Sequence, residues 1–239
     1  MMKPLGRKAY GSIPHLLGSK LGEGDHHVHE GQHKICCENV RDKHDLIIVQ
    51  EKYDGSNVAV ANIDNKIVAL TRAGYTAESS PYSQHHYFAK WVKKYQNSFL
   101  KLLNPNERLV GEWLLQAHGL KYSIESDSPI VFFDLFSQDN VRLPYDVFLG
   151  RIGGIFETPR LLHRYNQSLS IESALQALKD DTNRNIFCLE NEEGVIYRVE
   201  RKGKVDFLAK FVRNDFKTGK YLPEISLQNE VFNFDVSLF

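Results

Sequence analysis

The chain has 239 residues, 42% of them hydrophobic and 25% charged, a composition ordinary for folded protein and long enough for one large domain. Thirty basic residues balance thirty acidic ones, so overall charge makes no case for a nucleic-acid partner, and no apolar run approaches the roughly 20 residues of a membrane helix. The N-terminus lacks the apolar core of a signal peptide. The three cysteines, with Cys36 and Cys37 adjacent, make no disulfide framework, so we expect a reducing, cytoplasmic setting without membrane contact.

Residues 1–44 are rich in Gly, His and Pro and read as mostly irregular. Within them His26, His27, His29 and His33, followed by Cys36 and Cys37, have zinc-compatible spacings. They lack a paired Cys/His signature, and zinc is disfavoured there. Leu46–Gln50 and Asn57–Ile63 alternate as strands, with Lys52-Tyr53-Asp54-Gly55-Ser56 between them. Asp-Gly between two such runs is a hairpin signal. Ile67–Thr71 follows across the Asp64-Asn65 turn. From Ser83 to Leu103, Tyr87, Trp91, Tyr95, Phe99 and Leu102 recur at helical spacing, and Asn104-Pro105 ends the helix. That stripe is core packing in preference to a base-stacking platform. Arg108–Leu115 and Ile130–Phe136 read as strands, and Ser170–Leu178 as a helix with Ser170 at its N-cap. Gly194–Glu200 and Val205–Val212 flank Lys202-Gly203 as a hairpin. Strands dominate without regular βαβ alternation, which predicts an α+β domain on antiparallel sheet.

Polar residues interrupt these strands repeatedly: Lys52, Arg72, Glu112, Asp134 and Lys210, with Glu193 just before GVIYRV. An ionised side chain in a buried strand costs several kcal/mol unless paired or hydrogen-bonded. Glu112 and Lys210, taken singly, fit the outward face of a one-sided sheet. Together the set supplies an amine, carboxylates and extra cations, a combination suited to polyphosphate with a divalent cation. The bases between Arg198 and Lys220 outnumber the acids, which fits either a phosphate-facing patch or a solvated hairpin face.

The order of these pieces resembles the covalent nucleotidyltransferase superfamily of ATP-dependent ligases and capping enzymes. Within it the chain is most similar to phage-type double-strand RNA ligases, through Lys8-Ala9-Tyr10-Gly11-Ser12-Ile13 and Glu51-Lys52-Tyr53-Asp54-Gly55-Ser56-Asn57. The resemblance spans about residues 8 to 213. It implies an antiparallel-sheet adenylation domain over residues 45–216, with residues 1–44 packed on it and 217–239 as a short extension. It implies that Lys52 takes AMP from ATP, that Glu51 reads the adenine edge and that Phe133 stacks on it. It further implies that Asp54 and Gly55 belong to the nucleotide site, that Arg72 contacts ribose or phosphate and that Lys210 contacts the α-phosphate. Glu112 and Glu193 would hold Mg2+ or Mn2+, with Glu112 alternatively on the ribose. RNA ends or a nicked duplex would be the partner. The family's last motif often carries two lysines, and Leu208 stands where the first would be; Lys202 or Lys204 is a candidate for the missing charge. No separate C-terminal domain is expected, so a partner protein is a candidate for engaging RNA.

A lysine amine titrates near ~10.4 and attacks only when deprotonated. We therefore expect Arg72, Lys210 and Mg2+ to lower the Lys52 pKa by about three units, equivalent to roughly 4 kcal/mol. A minimal DNA ligase, a guanylyltransferase and a non-catalytic nucleic-acid-binding module are the competing readings.

Overall fold

The computed structural model describes residues 3–180 and 184–239; the remaining residues of the expected 1–44 and 45–216 segments lie outside the described set. In chain order the elements are α1 (Glu30–Cys37), β1 (Asp45–Lys52), β2 (Ser56–Ile63), β3 (Lys66–Thr71), α2 (Ser83–Lys94), α3 (Gln96–Leu102), β4 (Arg108–Trp113), β5 (Tyr122–Ile124) and β6 (Ile130–Phe136). There follow α4 (Tyr145–Ile152), β7 (Leu161–Tyr165), α5 (Ile171–Lys179), β8 (Ile186–Cys188), β9 (Gly194–Arg201), β10 (Lys204–Val212) and α6 (Pro223–Ser226). Two antiparallel four-stranded sheets carry the fold, one ordered β10-β9-β1-β7 and the other β3-β2-β4-β6, with β5 and β8 as a small separate pair.

Asp54-Gly55 does not close a hairpin, contrary to the local signal. β1 pairs with β7 and β9, whereas β2 pairs with β3 and β4. Lys52–Gly55 is the crossing from one sheet to the other. Gly55 is needed there for space, since a Cβ would meet the Trp113 carbonyl oxygen at 2.5 Å. The two predicted hairpins do form, with Asp64 and Asn65 at φ 50° and 61° and Lys202 and Gly203 at φ 50° and 71°, the left-handed pair a type I′ turn requires.

Period-two alternation gives each sheet two different faces. On the first sheet Ile47, Val49, Val195, Tyr197, Val199 and Ala209 pack with Leu16, Cys36, Ala174 and Leu178. Its opposite face turns Lys52, Ile196, Arg198, Leu208 and Lys210 towards a cleft. On the second sheet Val58, Val60, Leu109, Trp113 and Phe132 pack against Phe88, Trp91 and Phe99, while Ala59, Ala61, Leu70 and Val110 pack against Ala9 and Tyr10. The sheets are thus rigid walls of one cleft, each backed by its own core.

Several expectations change. Ser83–Leu103 is two helices meeting at Tyr95, whose backbone leaves helical geometry at φ −97° and ψ 14°. The bend lets Trp91 and Phe99 both reach Phe156, at ring distances of 5.5 and 5.2 Å. Residues 1–44 include a helix, α1, at whose start the His29 N–H donates to Gln32 Oε1 at 3.4 Å. Ser170 caps α5 as expected, its Oγ accepting from the Ser173 N–H at 3.2 Å. Strands β5, β7 and β8 and helix α4 carried too little apolar periodicity to be read from sequence. The Phe-rich end packs on the core, with Phe239 at 5.6 Å from Trp113. No helix among the described residues is long and apolar enough to cross a membrane.

Candidate nucleotide-binding cleft

Lys52 ends β1 directly opposite Gly194, the first residue of β9, so the side chain of the preceding Glu193 reaches it. Their Nζ and Oε2 atoms lie 2.5 Å apart, and Nζ also donates to the Tyr53 carbonyl at 3.3 Å. Gly194 permits this register because a Cβ would meet the Phe211 carbonyl oxygen at 1.9 Å. Glu112 comes from the other sheet, opposite Asn57. Its carboxylate accepts from the Gly55 N–H at 3.2 Å and from Asn57 Nδ2 at 3.5 Å.

Glu51, Lys52, Arg72, Glu112, Phe133 and Lys210 all line one cleft, with Glu193 against Lys52. Arg72 follows β3, and its guanidinium donates to Ser12 Oγ at 3.1 Å. Phe133 on β6 sits edge-on to Tyr10, ring centroids 5.4 Å apart. Glu51 is buried and pairs with Arg184 at 2.8 Å through Oε2, while its buried Oε1 has no partner. Arg184 is a cleft-wall partner that sequence reasoning missed, and nothing in its local pattern marked it. Asp54 departs from its expected place. Its carboxylate turns away to accept the N–H groups of Gly119 and Leu120 at 2.6 and 3.2 Å. It anchors the crossing segment and does not line the cleft.

The electrostatics also depart from expectation. Burial alone would lower the Lys52 pKa, but the facing carboxylates of Glu193, Glu112 and Asp54 outweigh it and the amine is held above its ordinary value. Lys210 and Arg72 line the same cleft, where burial and Lys52 push the Lys210 pKa down. Burial pushes the Glu193 and Glu112 carboxyls up to about 7, against the lowering pull of Lys52. Glu51 is likewise raised to about 7 by burial, with Arg184 pulling the other way.

Several bases between Arg198 and Lys220 are paired within the fold. Arg198 is buried under the cleft and bound to Asp134 and Glu200. Arg201 pairs with Asp42 and Asp45, Arg213 with Asp215 and Lys220 with Glu190. Lys202 and Lys204 sit at the exposed hairpin and do not line the cleft, so neither replaces the charge that Leu208 lacks. The histidine-rich segment is dispersed: Cys36 is in the core, and His33 Nδ1 lies 4.0 Å from Cys37 Sγ. Among the described residues, no three His, Cys, Asp or Glu side chains gather as a metal cluster.

Residues 45–212 match the family model for RNA ligase. No curated protein sequence matches the chain. Among solved structures it is similar to an archaeal ATP-dependent RNA ligase, with a TM-score of 0.52, 17% identity, and coverage of 85% of this chain and 48% of that one. It is also similar to a Lys-to-Ala mutant of Naegleria gruberi RNA ligase with ATP and Mn, with a TM-score of 0.53, 18% identity, and coverage of 87% and 61%. The same Naegleria ligase with PPi gives a TM-score of 0.51 at 18% identity, covering 90% and 62%. The chain therefore spans between about half and three-fifths of these proteins' length. The α+β, antiparallel-sheet fold is the one these nucleotidyltransferase domains share.

Proposed function

The chain belongs to the RNA ligase family, and we propose that it joins 5′-phosphate and 3′-hydroxyl RNA ends with ATP, through an AMP carried on Lys52. The observation that carries this reading is the half-buried amine of Lys52 at the junction of two sheets, 2.5 Å from the Glu193 carboxylate. Solved relatives with ATP and Mn support the choice of nucleotide and of a divalent cation.

The residues present fit both groups. The buried, unpartnered Glu51 Oε1 on the cleft wall suits the amino group of adenine, and Phe133 offers a ring face for stacking. Glu112 and Glu193 are carboxylates held near neutrality by burial, and such oxygen donors suit Mg2+ or Mn2+. A bound divalent cation supplies charge that keeps carboxylates ionised and offsets phosphate charge.

Lys52 enters the reaction as an ammonium. Glu193, titrating close to neutrality, is placed to accept a proton from Nζ, leaving an amine able to attack. The amine forms an N–P bond to the α-phosphate while the bond from that phosphorus to the bridging oxygen breaks and pyrophosphate departs with its electron pair. The second nitrogen proton, in excess of the phosphoramidate, passes to solvent water as the bond forms. Lys210 and Arg72, lining the same cleft, supply positive charge for the phosphoryl oxygens as they gain charge. AMP then passes to an RNA 5′-phosphate, and a 3′-hydroxyl displaces it. Free Cys36, Cys37 and Cys188 are in keeping with a reducing, cytoplasmic setting.

The test is acid-resistant labelling by α-labelled ATP with Mg2+, followed by sealing of nicked RNA and DNA duplexes. The wild type takes label and seals RNA, while Lys52→Ala loses at least about 10³-fold of the label. Undiminished label on Lys52→Ala, or none on the wild type, refutes the reading. Preference for GTP would move the chain to the guanylyltransferase alternative.

A further inference from the structure

Lys210 has an acidic neighbour from an unexpected part of the chain. Residues 14–20 run beside β10: the Lys210 N–H donates to the Pro14 carbonyl at 2.9 Å and the Leu16 N–H to the Lys210 carbonyl at 2.8 Å. Further along, the Lys20 N–H donates to the Val212 carbonyl at 3.0 Å. This strap brings Asp25 to the cleft, its Oδ1 3.6 Å from Lys210 Nζ.

Asp25 is itself oriented through a chain of polar contacts. The Val212 N–H donates to Ser19 Oγ at 2.9 Å, and Ser19 Oγ lies 2.7 Å from His15 Nδ1. His15 Nε2 lies 2.9 Å from Asp25 Oδ2, which also accepts from the Gly22 N–H at 3.1 Å. Ser19 Oγ accepts the Val212 N–H and contacts both His15 Nδ1 and the Lys20 carbonyl, which fixes the ring of His15 with Nε2 facing Asp25. Burial and the nearby Lys210 keep the His15 pKa below its ordinary value, so Asp25 is not cancelled by an imidazolium. Ser, His and Asp follow one another here in the order of a hydrolytic triad. Ser19 is a buried residue of the strap and bound to backbone, so the trio holds Asp25 and does not attack.

The same strap holds the other cation. The Arg72 carbonyl accepts the N–H groups of Ala9 and Tyr10 at 3.0 and 3.3 Å, and its guanidinium reaches Ser12. One N-terminal segment therefore ties down the cations contributed by the two sheets.

We infer that Asp25 is a positioning residue for Lys210, aiming this single ammonium at the nucleotide phosphates where Leu208 supplies no second charge. This rests on the nucleotidyl-transfer reading above. An ammonium on a flexible four-carbon stem needs a partner to define its direction. A gap of 3.6 Å exceeds a direct hydrogen bond, so Asp25 steers Lys210 and leaves its donors available to phosphate.

The experiment follows single-turnover lysyl-AMP formation and ATP affinity in the wild type, Asp25→Asn, Asp25→Glu, Lys210→Met and the Asp25→Asn/Lys210→Met pair. The reaction is followed long enough to register losses of about 10⁴-fold. Asp25→Asn should slow adenylylation at saturating ATP about tenfold while ATP affinity moves less than about twofold, and Asp25→Glu should recover much of the rate. In the Lys210→Met background the Asn substitution should have no further effect. Wild-type speed in Asp25→Asn, or the same loss persisting without Lys210, overturns the inference and leaves the Lys52 reading intact. A wild type that takes no label removes both. Asp25→Ser repeats the test if the Asn variant does not fold.

Discussion

Two charged groups share the walls of one cleft and are built on opposite principles. Asp134 and Glu112 are both acids in the middle of apolar strands. Asp134 is fully matched: Oδ2 accepts from Tyr10 Oη at 2.7 Å and Arg142 Nε at 2.8 Å, while Oδ1 accepts from Arg198 Nη1 at 2.5 Å. Arg198 goes on to Glu200 at 2.7 Å and the Leu143 carbonyl, and Glu200 accepts the Tyr145 N–H at 2.7 Å. These contacts join the N-terminal segment, both sheets and α4. Around Lys52, by contrast, acids outnumber the direct cation partners, Glu51 Oε1 has none, and Glu51, Glu112 and Glu193 are all pushed up to about 7, burial being the largest cause. Matched charge holds the walls in place. Unmatched charge is what a reacting site retains.

Substitution at three positions tests that contrast. The largest effect is expected at the matched group. Arg198→Ala removes the cation shared by the buried Asp134 Oδ1 and Glu200 and should cost about 3–5 kcal/mol by denaturant unfolding. A loss below about 1 kcal/mol would mean that the network contributes little to the fold.

At the unmatched group the sign reverses. The Glu112 carboxyl rises from 4.5 to about 7 on folding, so the folded chain binds the extra proton between those values. Stability contributed there is present at low pH and lost as pH rises through that window. Glu112→Gln should therefore unfold about 3 kcal/mol less readily at pH 8 and equal the wild type near pH 4, while losing adenylylation. Thermal melts across that range check the sign; a Gln variant less stable at pH 8 contradicts it.

Asp54 lies between the two cases, its carboxylate hydrogen-bonded yet close enough to raise Lys52. Asp54→Asn keeps an acceptor and loses the charge, so it should cost only about 1 kcal/mol. It should slow labelling less than Glu193→Gln does. An equal or larger slowing would place Asp54 in the chemistry itself.

Local features were legible because their causes are local. Asp64-Asn65 and Lys202-Gly203 announce turns through backbone φ, Ser170 announces a helix start through its hydroxyl, and the Trp91–Phe99 stripe announces a buried helical face. The ordered series Lys52, Arg72, Glu112, Phe133, Glu193 and Lys210 was legible as a resemblance, and the fold gathers those side chains about one cleft. Asp54-Gly55 misled because a turn signal says how the backbone bends and not which strands pair afterwards. The partners of Arg198, Arg201, Arg213 and Lys220 were not legible, because counting charges along a chain ignores the acids that folding brings against them.

The amino-acid sequence by itself determined the types of group available: an amine, carboxylates and cations on strands whose alternation selects a face. Only the tertiary structure decided which of them are neutralised. Whether Arg198 is a surface charge or a buried clamp depends on Asp134, 64 residues away. Whether Lys52 is held above or below its ordinary pKa depends on the balance between burial and Glu193, 141 residues away. Coulomb energy and desolvation depend on distance and dielectric in space, and strand pairing between distant segments sets both.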